Sequence, residues 1–134
     1  MTSQIIYKGA LRTEATHLQS GTVIETDAPL DNQGKAERFS PTDLLATSLG
    51  NCMLTIMGIK ARDMLVPLEG TTVDITKIMK SEPRRVGGIK VVFHFPETLV
   101  LDAKQKEILQ RVALACPVAK SIHPDIEQDI VFNW

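Results

Sequence analysis

Two cysteines carry the most distinctive chemistry in this sequence. Cys52 lies in SLGNCMLTIMGI and Cys116 in ALACPVAKSI, 64 residues apart. A thiol can attack a peroxide, join a second thiol in a disulfide, or fill space as a small apolar side chain. Two are too few for a secreted disulfide framework. No C-x-x-C motif is present, and His17, His94 and His123 are scattered, so the four close ligands of a structural zinc site are not expected. Each cysteine falls on or at the end of an expected helix, and Cys116 precedes Pro117, which marks special backbone there. Those two helices are the ones available to pack together, so the thiols could meet. Burial as plain core residues stays open beside this.

A reactive cysteine works as its thiolate, and apolar surroundings disfavour that form. Cys52 lies about three turns into its helix, too far for the helix dipole to help much. A working Cys52 therefore needs a cation from elsewhere. Arginine suits best, being always charged and presenting a rigid fork of donors. Arg12, on an early strand, is the first candidate and Arg38, in the loop before the helix, the second. Arg62, Arg84, Arg85 and Arg111 read as solvated surface charges. His94 alternates with apolar neighbours and His123 precedes Pro124, so neither is a favoured base. Glu14, Glu37 and Asp43 could orient an arginine.

The elements that must position these residues follow from pattern. Segment 4–27 reads as short strands in an antiparallel meander, with Gly9 and Gly21 at turns. The polar stretch 28–40 is a surface loop, long for a compact domain and therefore a candidate cover for a site. Ser40 can cap a helix, Pro41 suits its first position and Asp43 its first turn, so a central helix is expected over 41–64. Leu45, Leu49, Cys52, Ile56 and Ile59 fall on one face. Leu44, Met53, Leu54 and Met57 make the other faces apolar too, which calls for burial on most sides. Residues 71–96 read as a long hairpin. A second helix is expected over 102–116, capped by Asp102, with Ile108, Val112 and Ala115 along one stripe. A last strand covers 127–133. The order gives an α+β fold with mainly antiparallel pairing.

Bulk properties bound the partners. A chain of 134 residues has the size of one domain, and 43% hydrophobic residues suffice for a core. Aromatics are only 4%, so an aliphatic core is expected. A net charge of -1 gives neither nucleic acid nor an anionic membrane a basic surface to bind. No uninterrupted apolar run reaches the ~18 residues of a spanning helix, and the N-terminus lacks a signal pattern. The expected location is the cytoplasm.

Taken together, SPTDLLATSLGNCMLTIMGI and ALACPVAKSI resemble the two signature regions of the OsmC/Ohr family of thiol-dependent hydroperoxide reductases. In that family a Pro opens the central helix, the reactive cysteine follows eleven residues later, and a second cysteine sits late in the chain before a Pro. Pro41, Cys52 and Cys116-Pro117 match. The resemblance covers about Tyr7 to Trp134. It implies one OsmC-like domain over 1–134 and an intertwined homodimer, with antiparallel sheets wrapped around two central helices and each site drawing on both subunits.

The mechanism it implies is specific. Cys52 attacks an organic hydroperoxide and becomes a sulfenic acid. Cys116 condenses with it, and an external dithiol, lipoyl-type in the best-known members, restores the thiols; no bound cofactor or metal is implied. Leu49, Met53 and Ile56 would line the path of an apolar peroxide. Arg12 matches the arginine of the Ohr branch, and Arg38 the loop arginine of the OsmC branch. Peroxidatic members usually carry Glu directly after the helix-opening Pro; this chain has Thr42, then Asp43. That departure motivates a second expectation, an OsmC-like dimer that senses oxidation or binds a hydrophobic small molecule with little turnover.

Overall fold

The computed structural model of the protein describes residues 1–134 and divides into two compact units, Met1–Leu45 and Ala46–Trp134. The first unit is a meander of β1 (Ser3–Gly9), β2 (Arg12–His17) and β3 (Val23–Asp27), paired antiparallel in that order. Ala10 and Leu11 both take left-handed backbone at the first turn, with φ of 49° and 63°, as a tight hairpin requires. The β2–β3 pairing sets Arg12 opposite Asp27, Thr13 opposite Thr26 and Glu14 opposite Glu25. Beyond β3 the chain makes one 3-10 turn at Leu30–Asn32 and folds back on itself. Gly34 is obligatory in that loop, since a Cβ there would collide with the Ala28 carbonyl.

Helix α1 (Pro41–Asp63) begins with a reciprocal box. The Asp43 amide donates to Ser40 Oγ at 3.1 Å, and the Ser40 amide donates to Asp43 Oδ2 at 2.8 Å. Two otherwise unpaired helix-end groups are satisfied at once. Six α1 residues are buried: Ala46, Leu49, Gly50, Met53, Met57 and Ala61. This is not the stripe that the 3-4 spacing of Leu45, Cys52 and Ile59 suggests. Leu45 and Ile59 are exposed, while Cys52 and Ile56 are half-buried. By length and composition α1 could cross a membrane, which the search for uninterrupted apolar runs did not flag. A core helix passes the same test, and the Leu49–Met53–Met57 face is committed to the core of the second unit.

In the second unit β4 (Thr72–Ser81) and β5 (Arg84–His94) form a long antiparallel hairpin, and β6 (Glu127–Asn133) lies beside β5 in parallel. The parallel pair is the exception within the mainly antiparallel pairing expected. The chain returns to β6 through two helices, α2 (Ala103–Leu114) and α3 (Pro117–Ser121), and such a crossover brings a strand back in the same direction. Asp102 caps α2 in a second reciprocal box with Gln105. Gly50 is where α1 comes close to β4, because a Cβ there would lie 2.5 Å from Ile75 Cδ1.

Leu49, Met53, Met57, Ile89, Val91, Phe93 and Leu109 are each 0% exposed and form the centre of this core. Each such side chain contributes roughly 1.5–3 kcal/mol by leaving water. The core is less aliphatic than composition suggests. Phe93 stacks on Phe132 with centroids 4.9 Å apart, and Phe95 on Trp134 at 3.9 Å. Register explains the stack: Phe93 pairs with Phe132 across β5 and β6, and residues two apart on a strand share a face.

Candidate thiol site and the Arg12 cluster

Cys52 is carried by the middle of α1, beside Gly50 and Met53 but turned so that it stays half-buried. Cys116 is fully buried. Its position follows from the residue after it. Pro117 bars helical geometry at Cys116, which is extended at φ -62° and ψ 149°. So α2 stops at Leu114, the chain turns, and Cys116 becomes the N-cap of α3. Its Sγ accepts a hydrogen bond from the Ala119 amide at 3.4 Å. A sulfur cap is uncommon chemistry for a place where oxygen side chains lead, and it fixes the direction of the thiol.

Cys52 packs against the core cluster that includes Cys116, and the two thiols are not joined in a disulfide. Burial pushes the Cys116 thiol up from its ordinary value; the Ala119 amide opposes this, and the adjacent Cys52 side chain adds to the rise. Cys116 therefore keeps its proton where an exposed thiol would begin to lose it. One thiol is thus on a half-buried residue and the other on a fully buried one.

The three residues expected to line an apolar path separate into two groups. Leu49 and Met53 are 0% exposed and fill the core. Ile56, one turn after Cys52, is half-buried.

Arg12 heads a cluster in the first unit. Its Nε and Nη2 donate to Asp27 Oδ1 and Oδ2, each at 2.8 Å, and Nη2 also donates to Glu37 Oε2 at 2.8 Å. The Glu37 amide donates to Asp27 Oδ2 at 3.2 Å, so the arginine, the strand end and the long loop form one network. These bonds raise the Arg12 pKa, with Asp27 the largest cause. The Arg12 guanidinium in turn holds the Asp27 carboxyl below its usual range, against a smaller opposing effect of burial. Arg38 pairs instead with Glu25, Nε to Oε2 at 2.8 Å, and donates to the Glu37 carbonyl. Of the three carboxylates expected to orient an arginine, Glu37 does so. Glu14 lies 3.6 Å from Lys8, and Asp43 caps α1. Thr42 Oγ1 is 3.0 Å from Ser40 Oγ.

Asp27 and Glu25 are the residues that sequence reasoning missed. The signal for Asp27 lay in the register, because a meander closing at Gly21 sets it opposite Arg12. A pocket of about 190 Å³ opens beside this network, lined by Lys8, Gly9, Ala10, Arg12, Asp27 and Lys35. No group of three or more His, Cys, Asp or Glu residues is placed to hold a metal ion. The histidines are engaged elsewhere: His94 with Asp74 at 2.9 Å, His17 with Ser20 at 2.7 Å, and His123 with the Asp125 amide at 3.1 Å.

The sequence pattern of the family described as OsmC-like protein matches residues 34–130. A search of curated proteins found no match. Among solved structures, one from Psychrobacter arcticus 273-4, provisionally described as an osmotic stress induced and detoxification response protein, is 56% identical. It superposes with a TM-score of 0.94 over 99% of this chain and 96% of that one. An organic hydroperoxide resistance protein OsmC from Legionella pneumophila is 16% identical, with a TM-score of 0.72 over 100% of this chain and 98% of that one. OhrB, the organic hydroperoxide resistance protein of Bacillus subtilis, is 13% identical, with a TM-score of 0.65 over 99% and 98%. The last two show a shared fold.

Proposed function

The chain belongs to the OsmC-like protein family, and we propose that it is a thiol-dependent peroxidase that reduces organic hydroperoxides in stress defence. The observation that carries this reading is that half-buried Cys52 packs against the same core cluster that holds the buried Cys116. The stress-defence role is supported by the description of the Psychrobacter arcticus relative and by the hydroperoxide resistance of the two more distant proteins.

The Cys52 thiolate attacks the distal peroxide oxygen. A sulfur–oxygen bond forms, the O–O bond breaks, and the alcohol leaves. Cys116 then displaces the hydroxyl of the Cys52 sulfenic acid, giving a disulfide and water. Two electrons have passed from the sulfurs to the peroxide. An external dithiol of the lipoyl type returns them by exchange. Arg12 is proposed as the cation that favours the thiolate, with Arg38 second. Asp27 and Glu37 supply the carboxylates that orient Arg12, and so replace the Glu that Thr42 displaces.

The working form is proposed to be a homodimer. Exposed Ile5, Ile6 and Tyr7 on β1, with Leu45 and Ile59 on α1, are apolar surface that a second copy would cover. The cytoplasm is the proposed location, since thiols stay reduced there between turnovers. The second reading, oxidation sensing or hydrophobic ligand binding with little turnover, is favoured by Thr42 bonding to Ser40 where a carboxylate is usual. Steady-state reduction of cumene hydroperoxide with a dithiol present separates the two. Many turnovers per chain support the peroxidase, and arrest after one oxidation supports the sensor.

A further inference from the structure

Arg12 uses only part of its guanidinium on Asp27 and Glu37. Nε and Nη2 make those bonds, and Nη1 makes none. The same side chain lines the pocket of about 190 Å³, with Lys8 from β1 and Lys35 from the long loop as further cations. We propose that this pocket binds a small phosphate-bearing molecule. Binding there requires neither cysteine. Asp27 is the one acid in the wall. Its side chain is only 4% exposed, and its oxygens are taken by Arg12 and the Glu37 amide, so its charge is directed at Arg12 rather than at the pocket. Beyond the wall, Glu37 offsets Arg12 at 2.8 Å and Glu14 offsets Lys8 at 3.6 Å. Lys35 is exposed and has neither a hydrogen bond nor an ion pair. It is the uncompensated cation of the pocket.

The donor set selects among anions. A carboxylate is best held by two parallel bonds from the arginine fork. Here the Nε–Nη2 edge of that fork is already filled by Asp27. What remains is one guanidinium nitrogen and two ammonium groups, carried by two strands and a loop. An ammonium is a compact point charge with rotatable donors, and point charges brought from separate elements suit the oxygens of a tetrahedral phosphate. Size agrees with this. Drug-sized ligands occupy about 300–1,000 Å³ and one water about 30 Å³, so the pocket has room for a phosphate with a short organic tail and little else. The lysines are solvated, and binding therefore weakens as salt rises.

The test is titration of the full chain at low ionic strength with inorganic phosphate and with glycerol 3-phosphate, read by backbone amide NMR shifts. The expected result is saturable shifts at Gly9, Ala10 and Lys35 with both probes, and weaker binding of acetate at matched ionic strength. Lys35→Gln weakens phosphate binding by about two- to fivefold, the worth of one exposed charge contact. Lys8→Gln weakens it less, because Glu14 already offsets that charge. Lys35→Arg keeps the charge and binds like the parent, as does Lys104→Gln on α2. Tighter binding of glycerol 3-phosphate than of inorganic phosphate supports the site and assigns it to small phosphate esters; the reverse order supports it and assigns it to the free ion. Shifts that spread over the surface without saturating overturn the proposal, and so does parent-like binding by Lys35→Gln. Acetate bound as tightly as phosphate overturns the assignment to phosphate.

Discussion

Arg12 and Asp27 face each other across β2 and β3 and are joined by two hydrogen bonds of 2.8 Å, Nε to Oδ1 and Nη2 to Oδ2. This two-point geometry holds the guanidinium plane in one orientation, as a single contact cannot. Glu37 takes a further proton of the same Nη2 and so links the plane to the loop. Arg12 thus has one partner on a strand and one on the loop.

The role proposed for Arg12 sets an order of variants. On the proposed role, Arg12→Ala slows alkylation of Cys52 by iodoacetamide near neutral pH by about tenfold, because a thiolate loses its neighbouring cation. Arg12→Lys keeps the charge but not the fork, and Asp27→Asn keeps the arginine but loosens its aim; both fall between. Arg38→Ala changes the rate less than Arg12→Ala. Reversal of the two arginines would move the role to Arg38.

Asp27 and Glu25 both sit below their ordinary pKa, Asp27 first through Arg12 and Glu25 first through Arg38. A depressed carboxylate pKa means that the unfolded chain binds the proton more readily. The stabilisation is then present above about pH 4 and lost as pH falls through the lower folded value. Melting temperature should therefore drop on acidification, and less steeply in Asp27→Asn. Glu25→Gln should matter less as salt rises, since the Arg38–Glu25 pair is the more exposed.

The close approach at Gly50 gives a packing prediction. Gly50→Ala gains about 1 kcal/mol of helix propensity but sets a Cβ 2.5 Å from Ile75 Cδ1, overpacking that costs roughly 1–3 kcal/mol. The net effect is a modest destabilisation. Ile75→Val removes the colliding carbon at about 0.5–1.5 kcal/mol by itself. The double variant should be more stable than the sum of the two predicts, a coupling that urea titration of all four proteins reads directly.

Ser40 tests the entry to α1. Its hydroxyl caps the Asp43 amide, so Ser40→Ala should cost about 1 kcal/mol. Asp43→Asn retains an oxygen for the Ser40 amide and should cost less. Equal losses would point away from the reciprocal box.

Several of these relationships were legible in the sequence for physical reasons. The α+β class followed from strand and helix periods, and the start of α1 from a capping residue, a proline and an early acid. The turn at Cys116 followed from the steric demand of Pro117. The buried face of α1 did not. Leu45, Cys52 and Ile59 share helical spacing just as Leu49, Met53 and Met57 do, and a helix apolar all round does not say which side meets the sheet. Gly50 was the overlooked sign, because close packing against β4 needs a residue without a side chain there. Asp27 depended on strand register, and the Phe93–Phe132 stack on a parallel pairing that only the two-helix crossover produces. The sequence spacing left the meeting of the two thiols open, and the fold sets Cys52 against the core cluster that includes Cys116.

The central claim is that Cys52 and Cys116 act as one redox pair. Mass spectrometry of the reduced protein after one equivalent of organic hydroperoxide tests it most directly. The account predicts loss of two hydrogens per chain and a Cys52–Cys116 disulfide in the peptide map, with no such product in Cys52→Ser. Unmodified thiols in the parent, or peroxide consumption by Cys52→Ser at the parent's rate, would contradict it.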